Sequence, residues 1–423
     1  MKVLIIGGGG REHAIAYKIA QSKKVSAIYC APGNAGIEEY AVCVPIGVME
    51  FDKLADFALK EGIDLTVVGP DDPLVGGIVD VFLERGLRIF GPKKDAAMIE
   101  GSKAFSKELM KKYHIPTASF EAFHTAKEAY NYLENCSYPI VLKADGLALG
   151  KGVLICNTKE EAADGVKSIM EDKQFGAAGD VLVIEEFMTG REVSILAFCD
   201  GTDIAVMTSA QDHKRALDND EGLNTGGMGT FSPSPFYTQE INDYCMEYIY
   251  KPTMDAMKKE GRSFTGILFT GLMLTKDGPK VLEYNARFGD PETQVVLPRL
   301  KTDLIDIFES CIDGCLSKLK LEFEDNAAVC VVLASKGYPL AYEKGYRIDG
   351  LEELKKTEGV FAFHAGTKKE NDAVVTAGGR VLGITATGSN LKEARRNAYK
   401  AAEVVKFANK YHRNDIGKAI DEA

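Results

Sequence analysis

Residues 2–16 constrain the fold most. Lys2-Val-Leu-Ile-Ile6 is a continuous apolar run, the pattern of a strand buried on both faces. It enters Gly7-Gly8-Gly9-Gly10, and Arg11-Glu12-His13-Ala14-Ile15-Ala16 follows with helical spacing. A strand, a glycine loop and a helix N-terminus together make an anion site, because free amides and the helix dipole face one point. The unit recurs. Asp64-Leu-Thr-Val-Val68 ends in Gly69-Pro70-Asp71-Asp72-Pro73, Leu87-Arg-Ile-Phe90 ends in Gly91-Pro92, and helical stretches near 50–61 and 75–85 lie between. Strands alternating with helices imply an α/β fold with a parallel sheet, and ligands gather at the carboxyl ends of such strands. This first unit is expected to close near residue 100.

A dinucleotide site is one candidate for the glycine loop. Gly7 and Gly9 match the first two positions of GxGxxG, but the third falls on Glu12. The second strand (26–30) ends in Ala31-Pro32-Gly33-Asn34, where a ribose-binding acid should stand. A monophosphate ligand fits better, with a plain tight turn as the alternative.

Pro139-Ile-Val-Leu-Lys143-Ala-Asp145 is a strand, Gly146-Leu-Ala-Leu-Gly150-Lys151-Gly152 a loop, and Val153–Cys156 the returning strand. GxxxxGK[ST] is nearly met, but the first position is Asp145 and Gly152 follows Lys151, so no hydroxyl is available for a cation. Backbone amides of such a loop can still cover phosphates. Val181–Ile184 then leads into Glu185-Glu186-Phe187 and, past Glu192, the strand 195–198. Its main-chain groups can meet a purine, although an ordinary hairpin connection has the same composition. Gln211-Asp212-His213-Lys214-Arg215 and Asn224-Thr225-Gly226-Gly227-Met228-Gly229 bracket a polar segment read as a long irregular loop. A helix near 238–259 and a strand at 267–274 follow, and from Ala327 come strands at 327–334, 360–363 and 380–386 and a helix near 391–410.

Before that last unit stands Val281-Leu-Glu283-Tyr-Asn285-Ala-Arg287-Phe-Gly-Asp290-Pro-Glu-Thr-Gln294. Alternation along a strand sends Glu283, Asn285 and Arg287 to one face. Hard oxygen donors beside a guanidinium suit a Mg²⁺–phosphate complex next to a bound anion. Alone, the row reads equally well as a solvated strand face with a surface ion pair.

With 423 residues the chain has room for about three or four domains. Its net charge of −11 disfavours nucleic acid, which needs a basic face. No apolar run approaches a membrane span, and the immediate strand at Lys2 leaves no room for a signal peptide. Nine cysteines without CxxC pairs argue against zinc or a disulfide framework. The expectation is a cytoplasmic enzyme.

Taken in order, GGGGREHA (7–14), APGNAG (31–36), GSKAFSK (101–107), LKADGLALGKGV (142–153), EEF (185–187), QDHKR (211–215), NTGGMG (224–229), EYNARFGDPETQ (283–294) and HAGT (364–367) resemble the ATP-grasp ligases. Among these the match is to the phosphoribosylamine–glycine ligase (glycinamide ribonucleotide synthetase) family. The resemblance covers nearly the whole chain.

It implies an ATP-grasp architecture. An N-terminal parallel-sheet, biotin-carboxylase-like domain would occupy 1–101, and a central ATP-grasp domain 102–117 and 191–325. A small mobile lid would occupy 118–190 and a small C-terminal α+β domain 326–423. It also implies that ATP, glycine and 5-phosphoribosylamine give glycinamide ribonucleotide, ADP and phosphate through glycyl phosphate, in purine biosynthesis. Lys103 and Lys143 would contact ATP phosphates, with Gly146, Gly150, Lys151 and Gly152 in the lid. Glu186 and Phe187 would meet adenine through backbone groups and Glu192 the ribose, with Glu185 also in the ATP site. Glu283 and Asn285 would hold Mg²⁺ or Mn²⁺, and Arg287 the glycine carboxylate. Gly8, Gly9, Gly10 and Arg11 would take the sugar phosphate. Asn34, Asp71, Asp212, Lys214, Asn224, Gly226 and Asp290 would line the substrate pocket, with Arg287, Lys143 and Asp212 as the catalytic set. A monomer or weak homodimer is expected, without nucleic acid or membrane.

Two departures stand out. Asp71-Asp72 replaces the family's usual Glu-Ala, and the strand 268–274 lacks the extra carboxylate of many ATP-grasp metal sites. Another ATP-grasp ligase or carboxylase, an NAD-dependent oxidoreductase and a nucleotide-binding regulator are the alternatives. Glu12 argues against the oxidoreductase, and the presence of Lys143, Glu283 and Arg287 against a regulator without turnover.

Overall fold

A computed structural model describes residues 1–147 and 152–422. The first unit is a five-stranded parallel sheet in the order β3-β2-β1-β4-β5, made of β1 (Lys2–Gly7), β2 (Ala27–Pro32), β3 (Val42–Cys43), β4 (Leu65–Val68) and β5 (Ile89–Phe90). The apolar runs sit in the middle because helices cover both faces. These are α1 (Gly10–Ile19), α2 (Phe51–Glu61), α3 (Asp71–Gly76), α4 (Ile78–Glu84) and α5 (Lys94–Gly101). Gly62, at φ +65°, ends α2 in the left-handed conformation that favours glycine. A one-residue break at Ser102 starts α6 (Lys103–Lys112), and the Ser102 hydroxyl caps it by accepting the Phe105 N–H.

A separate antiparallel sheet follows, in the order β6-β9-β7-β8, from β6 (Phe120–Phe123), β7 (Ile140–Ala144), β8 (Val153–Cys156) and β9 (Leu182–Glu186). Its inner face packs on α7 (Ala126–Leu133) and α8 (Lys159–Val166) in a core of its own, including Leu133, Ile140, Leu142, Val166 and Ile184. This unit therefore has a hydrophobic core separate from those of the other sheets.

The central sheet has the order β11-β10-β16-β17. Its long strand β10 (Arg191–Asp200) is followed by β11 (Ile204–Val206), β12 (Gln211–Asp212), β13 (Arg215–Leu217), β14 (Glu221–Asn224) and β15 (Gly229–Ser232). The expected irregular loop between 215 and 224 is instead a hairpin: β13 pairs with β14, and Asn219 and Asp220 turn the chain at positive φ. Its polar composition misled because the anchoring cation is distant in sequence. Arg413, 1% exposed in its side chain, pairs with Asp220 and Asp415 at 2.8 Å each.

One helical stretch comprises α9 (Gln239–Cys245), a π-turn at Met246–Tyr250, and α10 (Lys251–Lys259). Then come β16 (Thr265–Thr275) and β17 (Gly278–Asn285), paired antiparallel with a bulge between Gly271 and Leu272. A short α11 (Thr293–Val296) and α12 (Leu304–Ile312) complete this part. Phe90 from β5 and Phe308 from α12 pack with centroids 4.3 Å apart, and Phe198 and Phe288 join them. Each such pair adds about 1 kcal/mol beyond its burial, so the first unit and the central sheet share one core.

The C-terminal sheet runs β12-β15-β18-β22-β19, with β18 (Ala327–Ser335) at its centre. After a single turn α13 (Leu351–Leu354) come β19 (Val360–His364), a hairpin of β20 (Thr367–Glu370) and β21 (Ala373–Thr376), and β22 (Arg380–Gly388). The last helix, α14 (Leu391–Val404), ends at Val404 rather than near 410, and Lys410–Tyr411 instead forms a strand, β23, against β18.

Candidate active site

A cleft of about 1480 Å³ runs between the first unit, the central sheet, the 120–186 sheet and the C-terminal sheet. Its floor is the end of β17. Tyr284 and Ala286 turn into the core, 4% and 1% exposed, so Glu283, Asn285 and Arg287 face the cleft. The row read from alternation holds together. Arg287 Nη2 donates to Asn285 Oδ1 at 3.1 Å and pairs with Glu100 Oε1 at 3.1 Å, with Asp71 Oδ2 at 4.0 Å. Its Nε–H is buried without a partner. A buried guanidinium N–H left unpaired is costly, which marks this edge as a candidate for a ligand contact.

Glu283 lies among cations. Burial opposes its ionisation, but Lys214, Lys143, Lys103 and Arg287 hold its carboxyl down at about 2. Lys214 Nζ stands 3.6 Å from Glu283 and 3.4 Å from Glu192. Glu192 is the dominant influence raising the Lys214 ammonium above its ordinary value.

On the opposite wall, Lys143 Nζ lies 2.9 Å from Glu185 Oε1 and donates to the Leu282 carbonyl at 3.2 Å. The Glu185 contact is one of charge, since that oxygen receives no directed hydrogen bond. Lys107 Nζ stands 2.9 Å from the other oxygen, and burial pulls its ammonium down to about 8. The Glu185 carboxylate is therefore engaged by two lysines. Glu186 and Phe187 do line the cleft, with Glu186 held by the Ser119 N–H and Lys280.

Lys103, at the start of α6, donates to Gly146 O at 2.8 Å, while Asp145 accepts from Ser102 Oγ and the Ala104 N–H. The 145–147 loop is thereby tied to a helix N-terminus. Gly146 and Gly152 border the cleft; Gly150 and Lys151 lie outside the described residues.

Four expected ligand positions do not reach the cleft. Gly8, Gly9, Gly10 and Asn34 are packed between the first unit and the C-terminal sheet. A Cβ on Gly8 would meet Gly33 O at 2.5 Å and one on Gly10 would meet Gln294 Nε2 at 2.6 Å, so close packing requires these glycines. The Gly9 N–H is taken by Glu12 Oε2 at 2.6 Å. The Asn34 amide donates to the carbonyls of Gly8 and His364 and accepts from the N–H groups of Gly36 and Ile37. Arg11 does border the cleft, bound to Glu12 and to Phe288 O.

Asp71, Asp212, Lys214, Asn224, Gly226 and Asp290 all line it. Glu100, Glu292 and Arg380 line it as well. Glu100 ends α5 and accepts the Ala286 N–H at 2.7 Å. Glu292 accepts from Ser194 Oγ at 3.0 Å; burial raises its carboxyl, and burial together with the neighbouring Glu292 raises that of Asp212. Arg380, from β22, pairs with Asp290 at 3.0 Å and donates to Gly226 O at 2.6 Å. The GDPETQ stretch pointed at Glu292; neither Glu100 nor Arg380 has a local signature.

Family models for phosphoribosylglycinamide synthetase match almost the whole chain: the N domain at residues 1–100, the ATP-grasp (A) domain at 101–293 and the C domain at 328–419. The chain belongs to the phosphoribosylglycinamide synthetase family. Among its relatives, a phosphoribosylamine–glycine ligase of Caldanaerobacter subterraneus subsp. tengcongensis is 53% identical, over 98% of this chain and 99% of that protein. The crystal structure of phosphoribosylamine–glycine ligase from Thermotoga maritima superposes with a TM-score of 0.84 at 36% identity, covering 99% of this chain and 100% of that one. The biotin carboxylase domain of Hydrogenobacter thermophilus 2-oxoglutarate carboxylase reaches 0.75 at 17% identity, covering 97% and 91%, and shares the fold. As in other members of the phosphoribosylglycinamide synthetase family, an ATP-grasp domain implies ATP as a substrate. Among the described residues, no helix is long and apolar enough to cross a membrane.

Proposed function

We infer that this enzyme joins glycine to 5-phosphoribosylamine, with ATP cleaved to ADP and phosphate through a glycyl phosphate intermediate, in purine biosynthesis. One observation carries the reading of the site: Glu283, Asn285 and Arg287 line one strand end, and Arg287 has a buried Nε–H without a partner. That end offers a carboxylate to the phosphate donor and a guanidinium with one unpartnered N–H to the carboxylate being activated. Donor and acceptor therefore meet side by side.

Lys103 and Lys143 oppose the triphosphate from the other wall and neutralise charge as the phosphoryl group moves. Backbone groups of Glu186 and Phe187 take adenine, and Glu192 the ribose. Glu185 serves from behind, as the counter-charge of Lys143. Gly146 and Gly152 cover the phosphates and exclude water from the anhydride. Arg11 meets the sugar phosphate from the first unit, with Asp71 beside the sugar. Asp212, Lys214, Asn224, Gly226 and Asp290 enclose the amine side.

Among the described residues, no three His, Cys, Asp or Glu side chains gather to hold an ion. Mg²⁺ or Mn²⁺ needs fewer here, because one or two carboxylates plus substrate phosphates and water complete its shell. The ionised Glu283 and the Asn285 amide oxygen fit that requirement and would hold it. The ion would supply charge neutralisation at the transferring phosphate. We read the enzyme as cytoplasmic, a monomer or weak homodimer, with residues 118–190 as the lid.

Phosphate release from ATP, with glycine and phosphoribosylamine each omitted in turn, tests the assignment. Release is expected only with both present; release that ignores glycine, or persists fully without the amine, would overturn it.

A further inference from the structure

We propose that Glu100 is the catalytic residue that accepts the proton from the attacking amine. The inference rests on the ligase reading and assigns a step that reading leaves without a base.

Glu100 ends α5 at the junction between the first unit and the central sheet. It is 6% exposed, yet it lines the cleft. One oxygen is fixed by the Ala286 N–H at 2.7 Å, and the other lies 3.1 Å from Arg287 Nη2. Arg287 is the group assigned to the carboxylate of glycine. Once that carboxylate arrives, it competes with Glu100 Oε1 for the same guanidinium. Glu100 then stands beside the acyl group with one oxygen anchored and the other released. From the opposite side, Asp71 and Arg11 belong to the first unit, where the amine's sugar is expected. The carboxylate thus sits at the seam where nucleophile and electrophile must meet.

Two other acids of the cleft are less well placed. Glu292 accepts from Ser194 Oγ and Asp212 from the His213 N–H, and neither is paired with Arg287, the group assigned to glycine.

The charged groups facing Glu100 come from four elements: Arg287 after β17, Asp71 on α3, Arg11 on α1 and Lys103 on α6. Burial, helped by Asp71 and opposed by Arg287 and Arg11, brings its carboxyl up to about 7. A base is most effective when it titrates near the working pH.

The step balances. The amine nitrogen bonds to the acyl carbon, the carbon–oxygen bond to phosphate breaks, and phosphate departs with that electron pair. The N–H proton passes to Glu100, which returns it to solvent. Nothing is oxidised or reduced.

Steady-state kinetics of Glu100→Gln and Glu100→Asp across pH 5.5–9 test the proposal. In the wild type, kcat should fall on the acid side with a midpoint near 7. In Glu100→Gln, kcat should drop about 100-fold or more and lose that limb, while KM for glycine stays within about threefold. Glu100→Asp should keep the limb at intermediate rate. A tenfold rise in KM for glycine with kcat preserved would make Glu100 only a support for Arg287 and overturn the proposal. A wild-type profile without the acid limb would do so as well, whether or not the variants fold. Wild-type turnover that ignores glycine or the amine would instead sink the ligase reading itself.

Discussion

Lys143 and Glu185 stand 2.9 Å apart on the neighbouring strands β7 and β9, with side chains 8% and 2% exposed. Lys107 approaches the same carboxylate from α6 at 2.9 Å, so one buried anion serves two cations. Removing Lys143 leaves Glu185 paired, whereas removing the charge of Glu185 strands both lysines. Glu185→Gln should therefore cost about 3–5 kcal/mol, read as a lower urea midpoint. Lys143→Met should fold normally while kcat falls at least about 100-fold. Turnover within fivefold of wild type would take Lys143 away from the phosphates.

Arg287→Ala removes the guanidinium whose Nε–H lacks a partner. Charge-assisted hydrogen bonds contribute about 1.5–3 kcal/mol, so KM for glycine should rise roughly 10- to 100-fold. ATP affinity, measured by calorimetry, should stay within about threefold. Lost ATP affinity would mean that the guanidinium serves the nucleotide.

Asn34 makes a contrasting case. Its amide joins Gly8 on the first unit to His364 on the C-terminal sheet. Asn34→Ala leaves several buried backbone groups unpaired and should cost about 3 kcal/mol in urea unfolding. KM for every substrate should remain within twofold. A tenfold rise in KM for the amine at unchanged stability would restore it as a ligand residue.

Glu283→Gln weakens the acidic end of the strand row. The Mg²⁺ concentration for half-maximal rate should rise at least about tenfold, since even the loss of an outer-shell partner costs about 10- to 100-fold in metal affinity. A chelator should abolish wild-type turnover reversibly. Unchanged Mg²⁺ dependence in the variant would place the ion elsewhere.

Glu100 also links stability to pH. Its folded-state carboxyl titrates at about 7 against an ordinary 4.5, so between those values the folded chain holds more protons than the unfolded one. Its contribution is complete below pH 4.5 and is lost as pH rises through 7, about 3 kcal/mol in all. Glu100→Gln should flatten the decline in melting temperature over that range. An identical decline in the variant would remove Glu100 as its source.

What could be read beforehand follows the reach of each interaction. The parallel sheet was legible because Val3–Ile6 and Leu65–Val68 are near-continuous apolar runs ending in glycine turns, a pattern each strand carries in its own residues. The row on β17 was legible because strand alternation is local. Glu100 looked like any helix acid, since its partners lie 186 and 187 positions further on. Gly8 and Gly10 read as a phosphate cradle because close packing and anion binding select the same residue; only Gly33 and Gln294 reveal which applies. Arg380 and Arg413 reach the cleft region from the far end of the chain, and nothing near them in sequence announces it.

The sheet around β18 has a consequence for how this enzyme can be taken apart. Strand β15, from the middle of the chain, pairs with β18 from Gly229–Val331 through Ser232–Ala328, so the last hundred residues share their hydrogen bonding with the nucleotide-binding part. A fragment cut near residue 326 would bare a ladder of unpaired amides on β15, the kind of edge that recruits foreign strands. The C-terminal sheet is complete only with its partner strand from the middle of the chain, and the two should melt as one.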